Sequence, residues 1–242
     1  MSVLSIDLAS RRYRDNGIAL LHGAPGRVTA RLVDPESLGL HGEPAVAPFV
    51  SAIAELAERE RVRVILLDGP QAWRANESSL VHLRHCERET RTPGKTGPPG
   101  VVKPQTWTRM AEFSIALFDA LHERGWPRLT DRWQGGRAAV ESFPTHAWRM
   151  LGHTALPGKS ATTTLAPWLA ALTDSGLALP MGDIGHDEVQ ALVAGLAGIA
   201  MVDKGLESCD VRGINPFLED GAWREGFIVS PRPGTLPRPP LG

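Results

Sequence analysis

The sequence predicts an α/β fold, a mixed five-stranded sheet of three antiparallel strands followed by parallel ones, flanked by helices and interrupted by a long insertion loop. Three observations predict it. Short alternating apolar segments separated by turn residues occupy the first 33 positions, helical spacing then gives way to a continuous apolar run ending in Asp68, and later helix patterns alternate with one more strand pattern.

Residues 2–9 alternate apolar with small or polar side chains (Val3, Leu4, Ile6, Leu8) and make a strand carrying Asp7. Gly17 to His22 and Arg27 to Val33 make two more, joined by Gly23-Ala24-Pro25-Gly26, whose residues suit a tight antiparallel reversal. From Pro48 to Arg61, Phe49, Val50, Ile53, Ala54, Leu56 and Ala57 recur at helical spacing. Val62 to Leu67 then reads as a strand buried on both faces, with Asp68 at its C-terminal tip before Gly69-Pro70. Residues 71–109 are expected to form a basic insertion loop, because Gly, Pro and charge replace any periodicity; seven Lys and Arg stand against three Glu there. Met110, Phe113, Leu117 and Leu121 mark a helix stopped by Gly125 and Pro127, and Arg137 to Phe143 a fifth strand bearing Glu141. A short helix from Thr145 to Leu151 and another with Pro167 in its first turn and Gly176 past its end form an accessory layer. The strongest helix, His186 to Met201, has one face of Val189, Leu192, Val193, Leu196 and Ile199, with Gly195 and Gly198 permitting close approach to a sheet. A short apolar run, Gly226 to Val229, precedes a proline-rich tail over 231–242, expected to be extended or disordered. Residues 1–230 thus read as one domain. Three antiparallel strands followed by strands joined through helices is the ribonuclease H-like order. A doubly wound nucleotide-binding fold fits less well, since no glycine-rich phosphate loop follows the first strand.

Composition bounds the function. In 242 residues, 26 Lys and Arg against 27 Asp and Glu leave a formal net charge of -1, which argues against a bulk nucleic-acid coat and requires any polyanion to be held by a local basic patch. Cys86 and Cys209 lie far apart with no C-x-x-C, which suggests neither a disulfide scaffold nor a cysteine zinc site and fits a cytoplasmic setting. The N-terminal residues lack the pattern of a secretory leader, and no run of about 18 apolar residues predicts a membrane span.

Four acids fall where such a fold would gather them: Asp7 on the first strand, Asp68 at the end of the fourth, Glu141 near the end of the fifth, and Asp187 in the first turn of the last helix. Converging carboxylates repel one another and take up protons unless cations neutralise them. Hard oxygen donors suit Mg²⁺ or Mn²⁺, and two such ions would serve in-line phosphodiester cleavage of DNA or RNA. The simpler readings are a turn residue for Asp68 and a helix-dipole partner for Asp187. Arg84, Arg88, Arg91 and Lys95 in the basic loop are candidates to grip phosphates, with an ordinary solvated charged segment as the alternative. The seven tryptophans are more often core than base-stacking platforms. A second reading of the chain is a non-catalytic module that binds nucleic acid, a nucleotide or a protein through the basic loop; an ATP-using, actin-like chain is disfavoured by the missing phosphate loops.

Ser5-Ile6-Asp7-Leu8-Ala9, Leu67-Asp68-Gly69-Pro70, Cys86-Glu87-Arg88-Glu89-Thr90-Arg91, Glu141-Ser142-Phe143-Pro144 with Trp148 beyond it, and His186-Asp187-Glu188-Val189-Gln190-Ala191 occur in this order. Together they resemble the domain of unknown function number 429 family over about residues 2–230. The resemblance implies a ribonuclease H-like fold and a predicted nuclease activity, with Asp7, Asp68, Glu141 and Asp187 as the acidic site and the Cys86 to Arg91 segment as a signature without an assigned role. Gln190 departs from the family pattern, where many relatives carry a second Asp.

Overall fold

The computed structural model describes residues 1–234. Its strands are β1 (Ser2–Asp7), β2 (Gly17–Ala24), β3 (Arg27–Leu32), β4 (Val62–Asp68), β5 (Lys95–Thr96), β6 (Val102–Lys103), β7 (Ala138–Ser142), β8 (Leu177–Ala178), β9 (Cys209–Glu219) and β10 (Ala222–Pro231). Its α-helices are α1 (Val46–Arg59), α2 (His85–Thr90), α3 (Thr108–Glu123), α4 (Pro144–Met150), α5 (Ala166–Asp174) and α6 (His186–Lys204).

One sheet of eight strands has the order β8-β3-β2-β1-β4-β7-β10-β9. Its central five strands follow the predicted order and directions: β3, β2 and β1 are antiparallel, and β4 and β7 continue parallel to β1. The expectation of five strands is corrected at both edges. β8 adds two residues parallel to β3, too short a segment to carry a period. At the other edge the β9–β10 hairpin pairs through Ile228 with Glu141 of β7, so the apolar run at 226–229 is an inner strand. Pro231 is the last residue of β10, while residues 235–242 of the expected tail lie outside the described residues.

Alternation in the strands fills two cores. Val3, Leu21, Val64, Leu66 and Val140 face α6, α4 and α5, whereas Leu4, Ile6, Leu20, Ile65, Leu67 and Ala139 face α1 and α3. Helix α6 lies directly on the sheet because Gly195 and Gly198 carry no side chain. A Cβ at these positions would sit 2.4 Å from Leu21 and 2.5 Å from Val3.

The segment 71–109 is not a loop throughout. It contains α2, the β5–β6 hairpin and a 3-10 turn at Gln105–Trp107, and Trp73, Val102, Ala111 and Ile115 give it a small apolar core. Backbone pairing of Trp73 with Trp223 and Glu225 fastens it to β10. Its high content of Gly, Pro and charge hid elements only two to six residues long. No helix among the described residues is long and apolar enough to cross a membrane.

Candidate active site

Asp7 and Asp68 end neighbouring parallel strands and are paired in register. Side chains alternate along a strand, so Asp7 takes the face of Val3 and Ser5, and Asp68 that of Val64 and Leu66, both toward α6. The two carboxyls act on each other, the interaction raising the pKa of Asp7 and lowering that of Asp68. Burial, then the charges of Asp68 and Asp187, hold Asp7 well above the usual carboxylate range, and the side-chain interaction with Asp68 adds to the effect. Burial also raises Asp68 to about 7, with the charge of Glu141 adding to it against the lowering effect of Asp7. Both shifts favour the protonated carboxyl over what an exposed carboxylate would show.

Asp187 approaches from the first turn of α6, where it accepts from the Lys159 ammonium and lies 3.1 Å from His186 Nδ1. The other nitrogen of His186 is 2.7 Å from the Pro157 carbonyl oxygen, so the histidine ties the start of α6 to the 157–159 turn. Close contact with β2 sets the height of that helix end: a Cβ on Gly17 would lie 2.1 Å from the Asp187 carbonyl oxygen. Lys159 also lowers the pKa of Asp7 and of Asp15, an acid held charged chiefly by its hydrogen bond from Arg12 at 2.7 Å.

Glu141 is placed differently. The register sets Leu67 against Glu141 and Asp68 against Ser142, and Glu141 shares the parity of Ala139, toward α1 and α3. Both of its oxygens are occupied by Arg84, whose Nη1 and Nη2 donate at 2.8 and 2.7 Å, and the Gln71 amide donates to Oε2 at 3.0 Å. Arg84, 1% exposed, also donates to Glu87 at 3.0 and 3.1 Å, and Glu87 accepts from the Thr96 amide as well. Arg84 is therefore withdrawn from any phosphate. Arg88 and Arg91 are exposed on and just beyond α2, and Lys95 is half-buried at a cleft beside Asp68.

The Cys86 to Arg91 signature forms α2, and its Glu87 is the far half of the Arg84 clamp. Burial pushes the Cys86 thiol up, away from the reactive thiolate. Gln190 accepts a hydrogen bond from the Trp148 indole at 2.9 Å, so its amide serves packing between α4 and α6. Lys159 and Asp15 escaped sequence reading, because neither sits in a periodic segment or a recognisable motif. Trp107 is 43% exposed in a turn, whereas Trp148 in α4 and Trp126, also outside any helix, are fully buried, so position along the chain did not mark the exposed indole.

Among the described residues, no three His, Cys, Asp or Glu side chains are arranged to hold one metal ion. Asp7 and Asp68 nevertheless fit a divalent cation, since Mg²⁺ commonly takes one or two carboxylates and completes its shell with water and substrate phosphate. Such an ion would take the place of a carboxyl proton.

No protein-family model matches the chain, so the likeness to the domain of unknown function number 429 family rests on the motifs alone; no curated protein matches either. Among solved structures, Thermus thermophilus RuvC aligns with a TM-score of 0.44 at 14% identity, over 84% of this chain and 96% of that one. T. thermophilus RuvC in complex with a Holliday junction substrate gives a TM-score of 0.41 at 14% identity, over 84% of this chain and 95% of that one.

Proposed function

We propose that this chain is a nuclease or phosphodiesterase that hydrolyses DNA or RNA with Mg²⁺ or Mn²⁺ held by Asp7 and Asp68. The observation that carries the reading is the carboxyl pair: two acids paired in register at the ends of neighbouring strands, both held above the usual carboxylate range chiefly by burial. A bound divalent ion would supply charge stabilisation for a phosphoryl group and acidify a water. The protein's own groups do the positioning. Asp7 and Asp68 offer oxygens, His186 and Lys159 hold Asp187 beside them, and the Arg84 clamp keeps the oxygens of Glu141 out of the ligand set. Arg88, Arg91 and Lys95 supply cations for the strand's phosphates. The strand order and the ordered motifs support reading the chain as ribonuclease H-like and as a relative of the domain of unknown function number 429 family.

The reading differs from a four-carboxylate, two-ion site in that Glu141 would contribute charge but no ligand. Asp187 would join the shell only on leaving Lys159. The test is Mn²⁺ titration calorimetry at pH 8 together with cleavage of labelled single-stranded DNA and RNA. Wild type binds Mn²⁺ and cleaves; Asp7→Asn stays folded and does neither. Cleavage by Asp7→Asn at the wild-type rate, or no Mn²⁺ uptake by wild type, sinks the reading. A non-catalytic binding module is the second reading, favoured by the absence of a three-ligand cluster among the described residues; nucleic-acid binding would then survive Asp7→Asn with no cleavage in either protein.

A further inference from the structure

A cleft of about 480 Å³ runs along the same sheet edge, between the 8–11 segment and the 92–111 segment, with Asp68 and Ser142 on its wall. Its volume falls within the roughly 300–1,000 Å³ typical of small-ligand sites. Trp107, Met110 and Phe143 line it with apolar surface. Gly94 lies against the edge of the Trp107 ring, where a Cβ would stand 2.5 Å from two adjacent ring carbons, so the glycine lets the backbone close on that edge of the indole. Polar groups converge on the same space. Arg11 is exposed at the cleft and Lys95 half-buried in it, and neither makes an ion pair among the described residues; the Lys95 ammonium donates only to the Thr92 carbonyl. Ser142 is 2% exposed, and its hydroxyl has no partner in the protein.

We infer that this cleft takes one unstacked nucleotide, with its base against Trp107 and its phosphate toward Arg11 and Lys95, so that the substrate strand is single-stranded or locally unpaired. The inference rests on the proposed nuclease reading and narrows its substrate class. An exposed indole beside two unneutralised cations suits a base with a free π-face and a phosphate attached to it. A base held within a continuous duplex has both faces covered by its neighbours and offers the indole nothing to stack on.

The test uses the full chain without divalent ions, so that binding is read without cleavage. Three DNA probes carry 2-aminopurine at the same position: a single strand, a duplex with that base bulged, and a fully paired duplex. The single strand and the bulge are expected to bind about 10-fold tighter than the duplex, with 2-aminopurine quenched by stacking. Trp107→Ala is expected to abolish the preference, as loss of one base–aromatic stack lowers affinity roughly 5- to 150-fold. Trp107→Phe restores most of it, whereas Lys95→Ala weakens the single strand and the bulge more than the paired duplex. Equal affinity for the three probes, absent quenching in wild type, or a preference that persists in a folded Trp107→Ala overturns the inference. Mn²⁺-dependent cleavage without the preference sinks this inference alone. The preference without cleavage leaves the nucleotide site standing and sinks the hydrolytic reading.

Discussion

Arg84 and Glu141 face each other through two hydrogen bonds of 2.8 and 2.7 Å, both side chains buried and 57 residues apart in the chain. The same guanidinium reaches Glu87, so one cation holds two carboxylates and pins the 71–109 segment to the central sheet. A planar fork can do this where an ammonium cannot.

Replacing Arg84 therefore leaves two buried carboxylates uncompensated. Arg84→Met is expected to lose about 3–5 kcal/mol of stability, read as a lower urea midpoint. Arg84→Lys keeps the charge without the bidentate geometry and falls between the two. A midpoint unchanged in Arg84→Met would show that the clamp contributes nothing to the fold.

The Asp7–Asp68 pair makes stability depend on pH in a defined direction. Asp68 is raised to about 7, so the native state keeps a proton that the unfolded chain has released. Its contribution is complete below the unfolded pKa of about 4 and is lost as pH rises through about 7. Asp68→Asn removes the repulsion, and in metal-free buffer at pH 8 it should melt higher than wild type by roughly 2–8 °C, the size of about 1–2 kcal/mol in a chain of this length. The difference should shrink toward pH 4. A gap that widens on acidification would contradict the raised pKa of Asp68.

Gly17 sets the position of Asp187. A methyl group there meets the Asp187 carbonyl oxygen at 2.1 Å, so the start of α6 must move away from β2. Gly17→Ala is expected to cost about 1–3 kcal/mol. Gly136→Ala, where a Cβ would meet nothing within 4 Å, serves as the control and should be near neutral. Paired denaturation curves decide it: equal midpoints for the two variants would mean that α6 is not seated by this contact.

The residue pattern by itself determined the order of the central strands and helices, the small-residue contact of α6 with the sheet, and the parity of each strand, because periods of 2 and 3.6 are local properties of the backbone. It also put Asp7 on the first strand and Asp68 at the tip of the fourth, strands that the order of elements makes neighbours, while the end of β1 at Asp7 came from the structure. Only the tertiary structure decided the register between strands, and a one-residue offset turns a side chain to the opposite face. That offset sets Ser142, not Glu141, beside Asp68. Pairings across long stretches of chain, Arg84 with Glu141 and Lys159 with Asp187, were likewise decided by packing. No local period encodes which distant charge a folded chain brings within reach.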